Sequence, residues 1–134
     1  MKVFLGGPVN TSNWRKQLIS MLKIDYYNPD VEQWNFATYK NELEAKQNCD
    51  YYLCIVTPQM CSTYSIAEIV DESNKHPEKT IFCYMEHDNG NEFDNHQKKS
   101  LERTCQMIEL NGGKSFRTLD EVAQFLNKQV NSKL

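Results

Sequence analysis

The 134-residue chain has few of the residues that punctuate or crosslink a fold: five glycines, four prolines, and five cysteines with no CxxC pair among them. No repeat, low-complexity tract or linker is visible. The cysteines, Cys49, Cys54, Cys61, Cys83 and Cys105, are odd in number, which argues against a disulfide-stapled secreted scaffold and for a reducing compartment. Cys54 and Cys83 sit inside apolar runs, where a thiol behaves as a small hydrophobe. His76, His87 and His96 lack metal-ligand spacing, so no metal is expected. Basic residues are neither abundant nor clustered. With 15 Lys and Arg against 18 Asp and Glu the formal net charge is -3, and a general nucleic-acid surface is excluded. No apolar run is long enough to span a membrane, and MKVFLGGP carries too short an apolar stretch for a secretory signal. A cytoplasmic protein with neither membrane nor nucleic-acid partner is the expectation. The length suits a single domain, 1–134, able to bury a core.

What is present is an alternation of strand and helix signals. Lys2 to Gly6 is a short apolar run broken by Gly6-Gly7-Pro8, a turn that lets backbone approach a ligand closely. It is not a P-loop, because the lysine and hydroxyl of GxxxxGK[ST] are missing. Thr11 or Ser12 can cap a helix with Trp14, Leu18, Met21 and Leu22 on one face. Ile24 to Tyr27 is a short strand ended by Asn28-Pro29. A loop with Trp34 and Phe36 then leads to a helix over about 38–48, where Tyr39 and Leu43 share a face with Glu42 beside them. Taken singly, Glu42 reads as a solvated helical acid and the aromatics as ordinary core. YYLCIVT, Tyr51 to Thr57, is the most apolar run and the expected central strand. Beyond it, Ile66, Ile69, Val70 and Ser73 mark a helix with Glu68 in its first turns. Thr80 to Met85 is another strand, EHDNGNEFDNHQ reads as a polar, mobile loop, and Leu101, Cys105 and Ile108 mark a helix stopped by Asn111-Gly112-Gly113. Ser115 to Arg117 suits an edge strand. Thr118 and Glu121 form a capping-box pattern before the last amphipathic helix.

Strands alternating with helices imply an α/β fold, a five-stranded parallel sheet with helices on both faces. The flavodoxin-like, Rossmann-like order 2-1-3-4-5 places a ligand crevice beyond the carboxyl ends of strands 1 and 3. Those ends carry Gly6 to Asn10 and Pro58 to Tyr64, and Glu68 looks into the crevice. A carboxylate there acts on a ligand or, more blandly, supports the helix dipole.

In Phe4-Leu5-Gly6-Gly7, in Thr38-Tyr39-Lys40-Asn41-Glu42-Leu43 leading to Asp50, and in Glu68 opening the next helix, the chain resembles the nucleoside 2-deoxyribosyltransferases. Their relatives, the deoxynucleoside 5'-monophosphate N-glycosidases, share the pattern. Glu42 lies eight residues before Asp50, and Asp50 eighteen before Glu68, as in the family; the likeness runs from about Lys2 to Met85. The resemblance implies Glu68 as nucleophile on the anomeric carbon of a 2-deoxyribose. It also implies Glu42 as an acidic partner that holds sugar or base and handles the proton. Phe4, Gly6, Gly7, Pro8, Asn10, Trp34, Tyr39, Ser62, Tyr64 and Ser65 become the candidate substrate-binding residues. Such chemistry is consistent with first principles: N-glycosidic cleavage builds positive charge on the sugar, which a carboxylate traps, with no cofactor required.

Three departures stand out. The transferases carry aspartate at the position of Ser62; the monophosphate N-glycosidases carry serine there, against the 5'-phosphate. Thr63-Tyr64-Ser65-Ile66-Ala67 replaces a glycine-rich stretch and puts the bulk of Tyr64 and Ile66 where relatives leave room for sugar. Glu42 stands for the family's usual aspartate. Three readings follow: transfer of deoxyribose between bases, hydrolysis of a deoxynucleoside monophosphate, and a non-catalytic nucleotide-binding module. The resemblance also implies a homodimer or larger assembly, with a neighbouring subunit completing the pocket.

Overall fold

The computed structural model describes residues 1–8, 12–30 and 36–132. Its elements follow in the order β1 (Lys2–Gly6), α1 (Trp14–Met21), β2 (Asp25–Tyr27), α2 (Phe36–Asn48), β3 (Tyr51–Val56), α3 (Tyr64–Lys75) and, after a 3₁₀ turn at Pro77–Lys79, β4 (Thr80–Tyr84). A short hairpin, β5 (His87–Asp88) and β6 (Asn91–Glu92), leads to α4 (Asn95–Leu110), β7 (Lys114–Phe116) and α5 (Leu119–Ser132). Five strands form one sheet in the order β2-β1-β3-β4-β7, every pairing parallel. That is the expected 2-1-3-4-5 order, with β3 central and β1 beside it.

The alternation of side chains along each strand divides the core in two. Val3, Leu5, Leu53, Ile55 and Ile81 face Trp14 and Leu18 of α1 and Val122 and Leu126 of α5. Phe4, Tyr52, Cys54, Val56 and Phe82 face Ile69 of α3 and Leu101, Cys105 and Ile108 of α4. Since both faces are covered, β3 and β4 read as nearly unbroken apolar runs. All five cysteines are free thiols, and only Cys61 is exposed. Burial pushes the Cys83 thiol up to about 12 and raises Cys54 further, so both stay protonated as packing groups.

Two segments differ from expectation. The stretch expected as a mobile loop contains the antiparallel hairpin, closed by Asn89 and Gly90 with φ of 54° and 82°. Two consecutive positive φ values suit the right-handed twist of the strands, which is why Asn-Gly occupies the turn. Phe93 then drops into the core, edge-on to Tyr84, and Asp94 starts α4 through a reciprocal capping box with Gln97. The second difference is α2, which buries none of its residues: Phe36 is 80% exposed, and Tyr39 and Leu43 about two-fifths exposed, so these are not core side chains. Its apolar contact with the core runs through Ala45.

One polar clamp ties the last third of the chain to the sheet. Arg117 donates from Nε and Nη2 to the two oxygens of Glu102, each at 2.7 Å, and the Tyr84 hydroxyl donates to Glu102 Oε1 at 2.6 Å. The Arg117 guanidinium lies over the Tyr84 ring. These hydrogen bonds, Arg117 first and Tyr84 second, hold the Glu102 carboxyl below the usual range. A carboxyl lowered by folding contributes stability that is complete above its ordinary value of about 4.3 and is lost as pH falls through the lower folded value. Glu102→Gln should therefore melt below the parent at pH 7, with the gap narrowing toward pH 3. A gap constant across that range in a calorimetric series would show that the charge on Glu102 is not the source.

Candidate functional site

The crevice begins where β1 stops. Gly7 has a φ of 132°, and a Cβ there would be driven into the Ile55 carbonyl of β3, so only glycine fits the turn. Arg15, a buried residue of α1, donates from Nε to the Leu5 carbonyl at 3.3 Å and from Nη2 to the Gly7 carbonyl at 3.1 Å. Its guanidinium stacks on the adjacent Trp14 ring, 4.4 Å from the centroid. Burial lowers the Arg15 pKa, and the charge of Asp30 partly opposes that. The turn is thus held from beneath by a cation that the sequence shows only as one basic residue in a helix.

Beyond the turn lies a hollow of about 290 Å³ lined by Phe4, Gly6, Gly7, Arg15, Pro29, Asp30, Glu42, Lys46, Tyr52 and Glu68. The rings of Phe4 and Tyr52 pave one side, and Tyr27, outside the lining, extends their stack. Phe4 is the register partner of both Tyr27 and Tyr52, and it stacks on them at 5.6 and 5.1 Å with interplanar angles of 13° and 15°. Glu68 comes from α3, which starts at Tyr64, and it therefore stands in the second turn. That is within the first turns of the helix, as expected, but the dipole fades within the first turn, so support of the dipole contributes little at this position.

The two carboxylates are joined through Lys46. Its ammonium donates to Glu68 Oε2 at 2.9 Å and lies 3.6 Å from Glu42 Oε1, four residues earlier on α2. It also sits over the Phe4 and Tyr52 rings, 5.5 and 5.8 Å from their centroids. Burial would lower the Lys46 pKa, but the hydrogen bond and charge of Glu68, followed by Glu42, outweigh it and raise it. The 2.9 and 3.6 Å legs cap the separation of the two carboxylate oxygens at 6.5 Å. Like charges at that limit repel by about 2.5 kcal/mol at an effective dielectric of about 20, and the ammonium beside both offsets this. The Tyr52 hydroxyl donates to the same Glu68 oxygen across a longer 3.5 Å. Burial first, then the charge of Glu68, pushes the Tyr52 pKa far upward, so this hydroxyl remains a donor. Among the described residues, no three His, Cys, Asp or Glu side chains converge as metal ligands would.

Of the residues singled out in the sequence, Glu68, Glu42, Phe4, Gly6 and Gly7 line this hollow. Pro8 is buried directly after the turn, and Tyr39 lies one helical turn before Glu42, partly exposed. Ser62 faces a different groove of about 820 Å³ between α3 and α4, together with Met60, Ile66, Val70, Phe93 and Leu101. That groove is larger, but among the described residues Asp71 is its one charged side chain, whereas the smaller hollow gathers Arg15, Asp30, Glu42, Lys46 and Glu68. The Ser62 hydroxyl accepts a hydrogen bond from the Tyr64 N–H at 3.4 Å. Ile66 turns toward α4 and away from Glu68, whereas Tyr64, 71% exposed, borders a second, shallower hollow with Glu68 and Lys46 and does not line the one at the Gly7 turn. The Ser65 carbonyl accepts from Cys54 Sγ. Asn10 and Trp34 lie outside the described residues. Lys46, Tyr52, Arg15 and Asp30 are additions to the sequence reading. Only Lys46 left a signal, its spacing of four from Glu42.

Comparison with solved structures finds the same fold in two bacterial proteins. One is a 2-deoxyribosyltransferase from Bacillus psychrosaccharolyticus, 16% identical, aligned over 92% of this chain and 90% of that one with a TM-score of 0.54. The other is a conserved protein from Enterococcus faecalis V583, also 16% identical with a TM-score of 0.54, aligned over 96% of this chain and 98% of that one. Comparison with curated proteins gives no match. Residues 1–87, which carry β1 through β4, α1 to α3 and every residue lining the hollow, match the family described as nucleoside 2-deoxyribosyltransferase like. The chain belongs to the nucleoside 2-deoxyribosyltransferase-like family.

Proposed function

We propose that this protein cleaves the N-glycosidic bond of a 2'-deoxynucleoside and passes the deoxyribose to a second base. The observation that carries the reading is the pair of carboxylates, Glu68 and Glu42, sharing one ammonium above a stacked aromatic floor. In this reading a Glu68 oxygen attacks the anomeric carbon while the carbon–nitrogen bond to the base breaks and its electron pair leaves with the base. Glu42 stands beside the reacting centre to hold a hydroxyl or ring nitrogen and to carry the proton. A ring nitrogen of the second base then attacks the same carbon and releases the Glu68 carboxylate. The stacked rings offer an apolar face to sugar or base. Three carboxylates, Asp30, Glu42 and Glu68, against two cations, Arg15 and Lys46, leave the hollow one negative charge. That balance favours a cationic sugar over a dianionic phosphate. Ser62, opening on the other groove, also supports a nucleoside rather than its 5'-monophosphate. The protein is expected in the cytoplasm as a single folded domain.

Phe36, Tyr39, Leu43 and Tyr64 leave an exposed apolar surface on α2 and at the start of α3, the two helices that supply the carboxylates. A second copy of the chain covering that surface would shield the hollow from water, and we include a homodimer or larger assembly in the proposal.

Chromatography of a reaction containing a deoxynucleoside and a different free base tests the activity: a new nucleoside means transfer, free base and sugar mean hydrolysis. Glu68→Gln should lower kcat/KM at least a thousandfold, about 4 kcal/mol of barrier, with an unchanged circular dichroism spectrum. A residual rate within tenfold of the parent would remove Glu68 as nucleophile. For the assembly, Leu43→Glu should shift the sedimentation coefficient to a smaller species; a parent already monomeric at micromolar concentration refutes it.

A further inference from the structure

Glu68 has two oxygens, and the hollow treats them differently. Among the described residues its two side-chain hydrogen bonds, from Lys46 Nζ at 2.9 Å and from the Tyr52 hydroxyl at 3.5 Å, both arrive at Oε2. A carboxylate gripped by one oxygen keeps a fixed plane, and the other oxygen then has a fixed direction. The gripping lysine is itself held. Its ammonium rests against the Phe4 and Tyr52 rings, and Glu42 is within ion-pair distance one turn back on the same helix. A second structural observation sharpens the point. Since α2 buries no residue, Lys46 is not there to fill the core.

We propose that Lys46 is a positioning residue of this site: by holding Glu68 Oε2 while neighbouring Glu42, it aims Oε1 at the sugar and lets two carboxylates share one hollow. The inference rests on the reading of Glu68 as the nucleophile and adds to it the residue that sets its orientation. Other groups bear on the same ammonium. Asp71, Glu72 and Tyr64 of α3 border the shallow hollow of about 320 Å³ between α2 and α3 that Lys46 also lines. Arg15 and Asp30 face it across the 290 Å³ hollow. Of all these, only Glu68 and Glu42 lie within ion-pair distance of Lys46 among the described residues. Positioning of this kind acts on the bound state rather than on binding itself. A reacting oxygen misplaced by an ångström costs rate even when substrate is seated normally.

The test pairs kinetics with a direct look at the lysine. Lys46→Met should lower kcat for deoxyribosyl transfer about a hundredfold with KM within threefold of the parent, and Lys46→Arg, which keeps the charge and the donor, should return kcat to within tenfold. A Lys46→Met enzyme within threefold of the parent, a loss confined to KM, or a Lys46→Arg enzyme as slow as Lys46→Met would each overturn the proposal. Melting temperatures of all three proteins guard against a merely unfastened α2. Independently, carbon-13 labelling of lysine amines by reductive methylation should show an amine, absent in Lys46→Arg, that titrates above the ordinary lysine range and falls back in Glu68→Gln, while the Lys75 amine, raised by Asp71, stays where it is in both variants. If that amine does not move, the pair is absent and the proposal fails regardless of kinetics. If the parent turns over no deoxynucleoside, the glycosyl-transfer reading fails and the positioning role with it. The titration would still decide whether the ion pair exists.

Discussion

Close backbone approach between β1 and β3 governs the rest of this molecule. Gly6 and Gly7 bring the end of β1 against the carbonyls of Leu53 and Ile55 with no room for a Cβ at either position. The contact fixes the parallel register, in which Gly6 stands opposite Cys54, and it sends the chain sharply away from the sheet. What opens above the two strand ends is the hollow itself. Arg15 completes the arrangement by satisfying the Leu5 and Gly7 carbonyls at the turn, so a buried charge serves the backbone and not a carboxylate. A buried cation with two backbone acceptors and an aromatic face beneath it is one of the few ways such a group is tolerated in a core.

The two halves of the chain divide the labour. Residues 1–87 hold the family pattern and all the side chains around the hollow, while α4, β7 and α5 complete the sheet and cover it. The joint between halves is polar. Tyr84 at the end of β4, Glu102 of α4 and Arg117 after β7 form one hydrogen-bonded group, continued by Arg117 Nη1 to the Ser115 hydroxyl and by that hydroxyl to Glu109. Polar contacts with fixed donors and acceptors set a geometry, and apolar packing on either side of them supplies most of the cohesion.

Much of this was legible from residues alone, for a physical reason in each case. A strand buried on both faces has to be apolar throughout, so Tyr51 to Val56 announced itself as central, and the glycines at 6 and 7 announced the turn. The order of the five strands followed from alternation and length. Side-chain direction in α3 was harder. At about 100° per residue, Ile66 and Glu68 point some 200° apart. Once the helix begins at Tyr64, bulk at Ile66 goes to the α4 groove and not to the carboxylate's side. One residue's uncertainty in the helix start blurs that distinction. Lys46 was illegible because a lysine four residues after a glutamate is, by base expectation, a solvent-exposed helical pair. Only the tertiary fold brings Glu68 to it. The hairpin escaped notice because its strands are two residues each, too short for any period, and Asn89-Gly90 alone carried the signal.

The ladder of Tyr27, Phe4 and Tyr52 crosses three adjacent strands through direct register partners. Sliding β1 by a single residue would turn Phe4 to the opposite face and bring Val3 or Leu5 into its place. Strand alignment and the floor of the hollow are therefore one and the same outcome of folding. A chain that pairs its strands wrongly has nowhere for Lys46 to rest, and so cannot draw Glu68 and Glu42 together. The site proofreads its own scaffold.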